Sequence, residues 1–149
     1  MKKLSFLLIL LFLQPLQTIA DTDSLDVFSL INQRLSYMED VAKYKAQHHL
    51  PVEDVQREIL VLKKAIDQAQ LLGLEPASIK DFFRVQMDMA KAIQFRARAD
   101  WLSDASQLTQ NGRNLSTEIR PQLLILGDKI TQTIKDYLQS GHRFHNGFF

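Results

Sequence analysis

Apolar residues recur along this chain at alternating spacings of three and four, the repeat of one face of an α-helix. The first stripe is Phe28, Ile31, Leu35, Met38 and Ala42, inside a stretch from about Ser24 to His49. Pro51 predicts its end, since proline disfavours helix in the residue before it. A second helix is expected from about Pro51 to Leu72, with Val52, Val55, Ile59, Leu62, Ile66 and Ala69 as its stripe. Pro51 suits the first helical position, Glu53 and Asp54 suit the positive end of the dipole, and Gly73 suits a left-handed stop. The third, from about Glu75 to Leu102, puts Ile79, Phe83, Gln86, Ala90, Ile93, Ala97 and Trp101 on one face, with Pro76 in its first turn. Residues from about Ser103 to Asn114 are polar, contain Gly112 and read as a loop. The fourth helix, from about Leu115 to Gln139, carries Ile119, Leu123, Leu126, Ile130 and Ile134. No strand pattern or internal repeat stands out. The pattern predicts an all-α fold, a bundle of about four main helices with two long antiparallel neighbours at its start.

The first twenty residues follow another rule. Met1-Lys2-Lys3 precedes an apolar run from Leu4 to Phe12 and Leu13, and the segment ends Thr18-Ile19-Ala20. A basic start, an apolar run of about ten residues and small residues before the cut read as a secretory signal cleaved after Ala20. The run is shorter than the roughly 20 residues a membrane-spanning helix needs. One domain is then expected over residues 21–149, with export to a bacterial periplasm.

Composition narrows the chemistry. Eighteen Lys and Arg face 17 Asp and Glu, for a formal charge of +1. Removing residues 1–20 takes away two lysines and no acid, leaving −1. That balance lacks the basic excess of a nucleic-acid footprint. The chain has no cysteine, which excludes disulfides, a thiol nucleophile and cysteine metal sites.

Several polar residues sit at the edges of apolar faces. Arg34 and Lys45 are eleven residues apart, so they share a face of the first helix about 16 Å apart, with Met38 and Val41 between them. Two such cations commonly bury their stems and keep their heads wet. On the second helix Asp54, Arg57 and Glu58 stand at i, i+3 and i+4, and Asp54 and Glu58 continue as a second semi-apolar stripe of Val61, Ala65 and Gln68. Taken alone, such a cluster is an exposed cap with a weak ion pair. Gln94 lies one turn after Ala90 at a core margin, and Arg120 sits between Ile119 and Pro121 at a helix boundary. Together these groups would line a bundle interior with cations, which is too costly unless an anion balances them. The expectation is a pocket for a small dianion carrying a hydroxyl or ether group.

The same residues carry a resemblance. The stretches Leu30–Met38, Val41–Lys45 and Leu50–Glu58 resemble the all-helical type II chorismate mutases, most closely their secreted, periplasmic gamma subclass. Gln86–Gln94, Ala99-Asp100-Trp101 and Ile119–Leu123 are similar to that subclass too, so the likeness covers about residues 25–135. It implies an isomerase of aromatic amino acid biosynthesis (the shikimate pathway) that converts chorismate to prephenate by a unimolecular Claisen rearrangement, with no cofactor and no metal. By resemblance, Arg34 binds a substrate carboxylate. Lys45 contacts a carboxylate and the breaking ether oxygen, and Gln94 is the other partner of that oxygen. Arg57 and Glu58 form the second-helix pair, with Glu58 accepting from the ring hydroxyl, and Asp54 matches the acid one turn earlier. Arg120 matches the cation that completes the site within one chain. A homodimer with each site inside one chain is compatible with this. Ala90 departs, because the family commonly has Ser or Thr there, whose hydroxyl binds a carboxylate. The missing hydrogen bond is worth roughly 0.5–1.5 kcal/mol, more to a charged group.

Two other readings share these residues. An isochorismate pyruvate lyase has the same fold and much of the same cationic pocket. A non-enzymatic periplasmic helical binding protein would be favoured by Ala90. Elsewhere, His142 and His145 at i,i+3 are too few to bind a metal. His48 and His49 can favour a helix end. Asn114-Leu115-Ser116 fits a glycosylation acceptor, without meaning in a bacterial periplasm. The tail from Gly141 to Phe149 has no usable period.

Overall fold

A computed structural model describes residues 22–109 and 112–144. The signal segment and His145 lie outside the described residues. Five α-helices follow in order: α1 (Thr22–Ser36), α2 (Met38–Gln47), α3 (Val55–Leu72), α4 (Pro76–Ser103) and α5 (Arg120–Gln139). A 3₁₀ turn, Ala105–Leu108, follows α4, and one turn of π-helix, Leu115–Ile119, leads into α5. Among the described residues there is no strand, so the all-α expectation holds.

The expected first helix is two. Tyr37 interrupts it with φ −75° and ψ −9°, and the ladder resumes as Val41 N–H donates to Tyr37 O at 3.0 Å. The break lets the two halves face different partners: α1 packs on α5 and α2 on α4. Val27 and Ile31 join Ile130 and Ile134 in one core cluster, while Ala42 joins Ala97 and Trp101 in another. Phe28, placed on the stripe by its spacing, is exposed, and Val27 is buried instead. The stop also comes earlier than Pro51 suggests. His48 closes α2, stacked on Tyr44 at 3.9 Å, and His49 takes a left-handed φ of 54°.

The second helix starts at Val55, with Asp54 as its N-cap rather than Pro51 at its first position. The Asp54 carboxylate accepts from Arg57 N–H at 3.0 Å, satisfying one of the free donors at the helix start. At the start of α3 the semi-apolar stripe faces inward. Ala65 is buried and Asp54, Glu58 and Val61 half-buried, whereas Val55 and Ile59 of the other stripe are exposed, and only further along do that stripe's Leu62 and Ala69 reach the core. The expectation of α1–α2 and α3 as antiparallel neighbours also fails. Helix α3 lies against α4 and α5. The cations of α1 and α2 and the acids of α3 line one cavity, which keeps those helices from packing directly. Gly73 ends α3 as expected, with φ 71°.

Helix α4 keeps its predicted bounds to within a residue. Glu75 caps it, accepting from Ala77 N–H and Ser78 N–H, and these bonds hold its carboxyl below the usual range. Asn114 caps the last segment by accepting from Ser116 N–H and Thr117 N–H, both at 2.9 Å. Past α5 the chain folds back, with His142 and Phe144 against the Tyr137 ring.

Ile130 is wholly buried and Phe28 is not. Ile130→Ala is expected to cost about 2–5 kcal/mol and Phe28→Ala less than about 1 kcal/mol. Urea unfolding measures both, and equal costs would contradict this core.

Candidate active site

A cavity of about 130 Å³ lies between the core clusters, and all eight residues singled out from the sequence line it: Arg34, Lys45, Asp54, Arg57, Glu58, Ala90, Gln94 and Arg120. They arrive from every α-helix. Arg34 and Lys45 stand in the last turns of α1 and α2. Asp54, Arg57 and Glu58 form the start of α3, Ala90 and Gln94 the middle of α4, and Arg120 the start of α5.

The two first-helix cations do not snorkel to water. Arg34 is 6% exposed and Lys45 7%. Burial lowers the pKa of Arg34, and its Nε and Nη1 have no hydrogen-bond partner within the protein. Burial also lowers the pKa of Lys45, against the opposing attraction of Asp54. Its Nζ donates to Val52 O at 2.5 Å. That bond ties the α2–α3 connection to the cavity floor.

The α3 end is a charged lattice. The second carboxylate oxygen of Asp54 accepts from Arg120 Nη2 at 3.2 Å, so one side chain caps α3 and holds the arginine of α5. Arg57 has its pKa lowered by burial and by Arg120, with Asp54 opposing. Glu58 meets Lys91 of α4 at 3.3 Å. Lys91 also lies 3.1 Å from Asp88, and these bonds, Asp88 first, raise its pKa. Gln94 is buried. Its Nε2 donates to Ala90 O at 3.1 Å and weakly to Met38 Sδ at 3.8 Å, and its Oε1 has no partner.

Some lining residues were not among those singled out. Lys91 is the most important, a further cation beside Glu58. Its salt bridge spans 33 positions of sequence, and no single-helix period reveals such a pair. Val52 matters through its backbone carbonyl, which leaves no trace in residue type. Lys64 and Asp128 pair at 2.8 Å across α3 and α5 at the rim. Counted over the whole lining, six cations face three carboxylates, over an apolar floor that includes Met38, Val41, Phe83 and Leu115. Such a cavity suits an anion with more than one negative charge and an apolar body. At position 90 it offers a methyl group and no donor. Among the described residues no three His or acidic side chains gather as metal ligands, and no helix is long and apolar enough to cross a membrane.

Comparison with known proteins agrees with this geometry. Residues 17–95 match the family chorismate mutase type II. The chain is 45% identical over 111 residues to a secreted chorismate mutase of Yersinia pestis, covering 74% of this chain and 59% of that one. It is 42% identical over 113 residues to a monofunctional chorismate mutase of Enterobacter agglomerans, covering 76% and 61%. The chain thus spans about three-fifths of the curated relatives it matches. Among solved structures, a secreted chorismate mutase from Yersinia pestis superimposes with a TM-score of 0.73 at 44% identity, over 76% of this chain and 72% of that one. A chorismate mutase from Burkholderia thailandensis gives 0.73 at 27% identity, over 80% and 75%.

The buried, half-answered charge of Arg34 has a thermodynamic signature. Arg34→Met is expected to leave the ligand-free protein as stable or more stable, by up to about 4 kcal/mol. The same change should abolish the rise in melting temperature that a cyclic dicarboxylate gives the unaltered protein. Thermal melts with and without the dicarboxylate test both, and an equal rise in the variant would remove Arg34 from the site.

Proposed function

The chain belongs to the chorismate mutase type II family, and from that membership we propose that it rearranges chorismate to prephenate. The observation that carries the proposal is the convergence of Arg34, Lys45, Arg57, Arg120 and Gln94 on one small cavity. In the rearrangement the ether C–O bond breaks as a C–C bond forms to the ring. No proton, electron or group leaves the molecule. What the protein supplies is shape and field.

Arg34, Arg57 and Arg120 are the carboxylate clamps that hold the flexible dianion in a compact chair before reaction. The free Nε and Nη1 of Arg34 are donors already stripped of water, so a carboxylate meets them without further desolvation. Lys45 and Gln94 act on the ether oxygen, where negative charge grows as the bond breaks. Each well-aimed donor of this kind contributes about 3–4 kcal/mol. Gln94 donates with its amide at any pH. Glu58 accepts from the ring hydroxyl, oriented by Lys91 from across the α3–α4 seam. Asp54 is a positioning residue, holding Arg120 while capping α3. Ala90 contributes only apolar contact.

The relative from Yersinia pestis is named as secreted, and residues 1–20 have the layout of an export signal. The proposal therefore extends to a periplasmic or secreted enzyme, released from its signal after Ala20.

The primary test gives the purified, exported protein chorismate and isochorismate side by side. Loss of chorismate with appearance of prephenate is expected, and pyruvate release from isochorismate alone would refute the mutase reading. Lys45→Ala is expected to lower turnover at least about a hundredfold with the helical circular-dichroism signal intact. Near-normal turnover from that folded variant would remove Lys45 from the chemistry.

A second test uses pH. Burial lowers the pKa of Lys45 from 10.5, and loss of its proton removes the charge aimed at the ether oxygen. kcat/KM, which reports the free enzyme, should therefore fall on the alkaline side with a midpoint below 10.5. A profile flat to that pH would contradict the assignment.

A further inference from the structure

The connection between α2 and α3, residues 48–54, carries two groups of the site. Val52 O accepts from the Lys45 ammonium, and Asp54 holds Arg120. Its backbone is irregular. His49 takes a left-handed φ of 54°, a costly conformation for a residue with a β-carbon. Such a segment keeps one conformation where its surroundings over-determine it. Leu50 is the fixed point. Its N–H donates to Lys45 O at 2.7 Å, and its carbonyl accepts from Arg98 Nη2 at 2.5 Å. A chain of bonds therefore runs from Arg98 of α4, through Leu50, to the backbone of Lys45 itself.

Arg98 differs from its neighbours on α4. Arg84 and Arg96 are exposed and pair with acids of their own helix, Asp81 and Asp100. Arg98 is half-buried and reaches across 48 positions of sequence to a backbone carbonyl. Among the described residues no carboxylate forms an ion pair with it. Its Nε is buried without a hydrogen-bond partner. The guanidinium thus brings a fixed positive charge that nothing beside it cancels. Arg98 does not line the active cavity. It stands with His49, Leu50, Pro51 and Trp101 in the wall of a separate surface hollow, so a ligand in the cavity does not touch it.

We propose that Arg98 is a positioning residue of the active site, which by holding Leu50 O fixes the α2–α3 connection and with it the aim of the Lys45 ammonium. The kinetic consequence rests on the mutase reading of that site. A donor facing a growing charge is effective when it is held in place beforehand, and α2 ends against this connection one turn after Lys45. The charge of Arg98 reaches Lys45 as well. Burial is the main cause of the lowered Lys45 pKa. Asp54 and Glu58 oppose the lowering, and Arg120 and Arg98 add to it. Arg34 of α1, Arg57 of α3 and Lys91 of α4 share the cavity and are untouched by a change at Arg98. Removing the Arg98 charge therefore raises the pKa of Lys45, which loss of packing alone does not predict.

The test has two readouts. NMR titration of the Lys45 side chain in the ligand-free protein follows its proton whatever the reaction, and kcat and KM with chorismate report its aim. Arg98→Met keeps the apolar stem and removes the donors and the charge. The Lys45 midpoint is expected to move to higher pH. In the same variant kcat is expected to fall about ten- to a hundredfold, with KM changed less, because the arginine clamps remain. Arg98→Lys keeps a charge and a donor, and is expected to hold the Lys45 midpoint and regain most of kcat. Arg98→Gln serves as the uncharged variant if Arg98→Met loses its helical signal. An unmoved Lys45 midpoint overturns the proposal. So does an unchanged kcat in an active protein, or a lysine variant as impaired as the uncharged one. An unaltered protein that leaves chorismate intact refutes the mutase reading instead, and the Lys45 midpoint alone then decides the place of Arg98.

Discussion

Two cations set inside the bundle govern much of this structure. Arg34 and Lys45 are almost fully buried, where a charge without compensation is among the most expensive things a protein can hold. The fold compensates only in part. Asp54 offsets the desolvation of Lys45 from across the cavity, and Val52 O accepts from its ammonium. For Arg34, two guanidinium nitrogens are left without a partner. That shortfall is a standing bias toward an anion, present before any ligand arrives.

The surrounding geometry follows from holding this bias in place. The break at Tyr37 lets α1 pack on α5 while α2 turns to α4, so the two cations descend from one strip of sequence onto separate supports. The connection between α2 and α3 is fastened at several points. Lys45 grips the carbonyl of Val52, and Arg98 of α4 donates to the carbonyl of Leu50 at 2.5 Å. Asp54 closes the connection, capping α3 and holding Arg120. The bonds of Lys45 and Asp54 also hold charged groups at the cavity. A small change in that loop would therefore reach the site and the stability together.

The proposed rearrangement transfers no proton, and such a reaction asks for this kind of scaffold. Electrostatic preorganisation requires donors fixed before charge develops, and fixed donors cannot relax onto one another. The unpartnered guanidinium nitrogens of Arg34 are the cost of that readiness, carried by apolar packing on either side of the cavity. Lys91 pairs with Glu58, a carboxylate standing among the cations of the cavity.

Much of this was legible in the order of residues. The helical class, the bounds of α4, the left-handed Gly73 and the gathering of seven polar residues with Ala90 all follow from spacing and resemblance, because a helical period is local and a ligand set keeps its chemical types. What the period could not decide was direction. Helix α3 carries two candidate stripes, and at its start the more hydrophobic one, with Val55 and Ile59, faces out, although its Ala69 is buried further along. Only the packed bundle selects the other, since Asp54 and Glu58 must reach the cations. The same limit hid the kink at Tyr37 and the exposure of Phe28, both set by which neighbour each half-helix meets. It hid Lys91, whose partner lies 33 residues away. Local order specifies what each segment can form. Which face turns inward depends on charges and surfaces contributed by distant segments, and these meet only when the chain is folded.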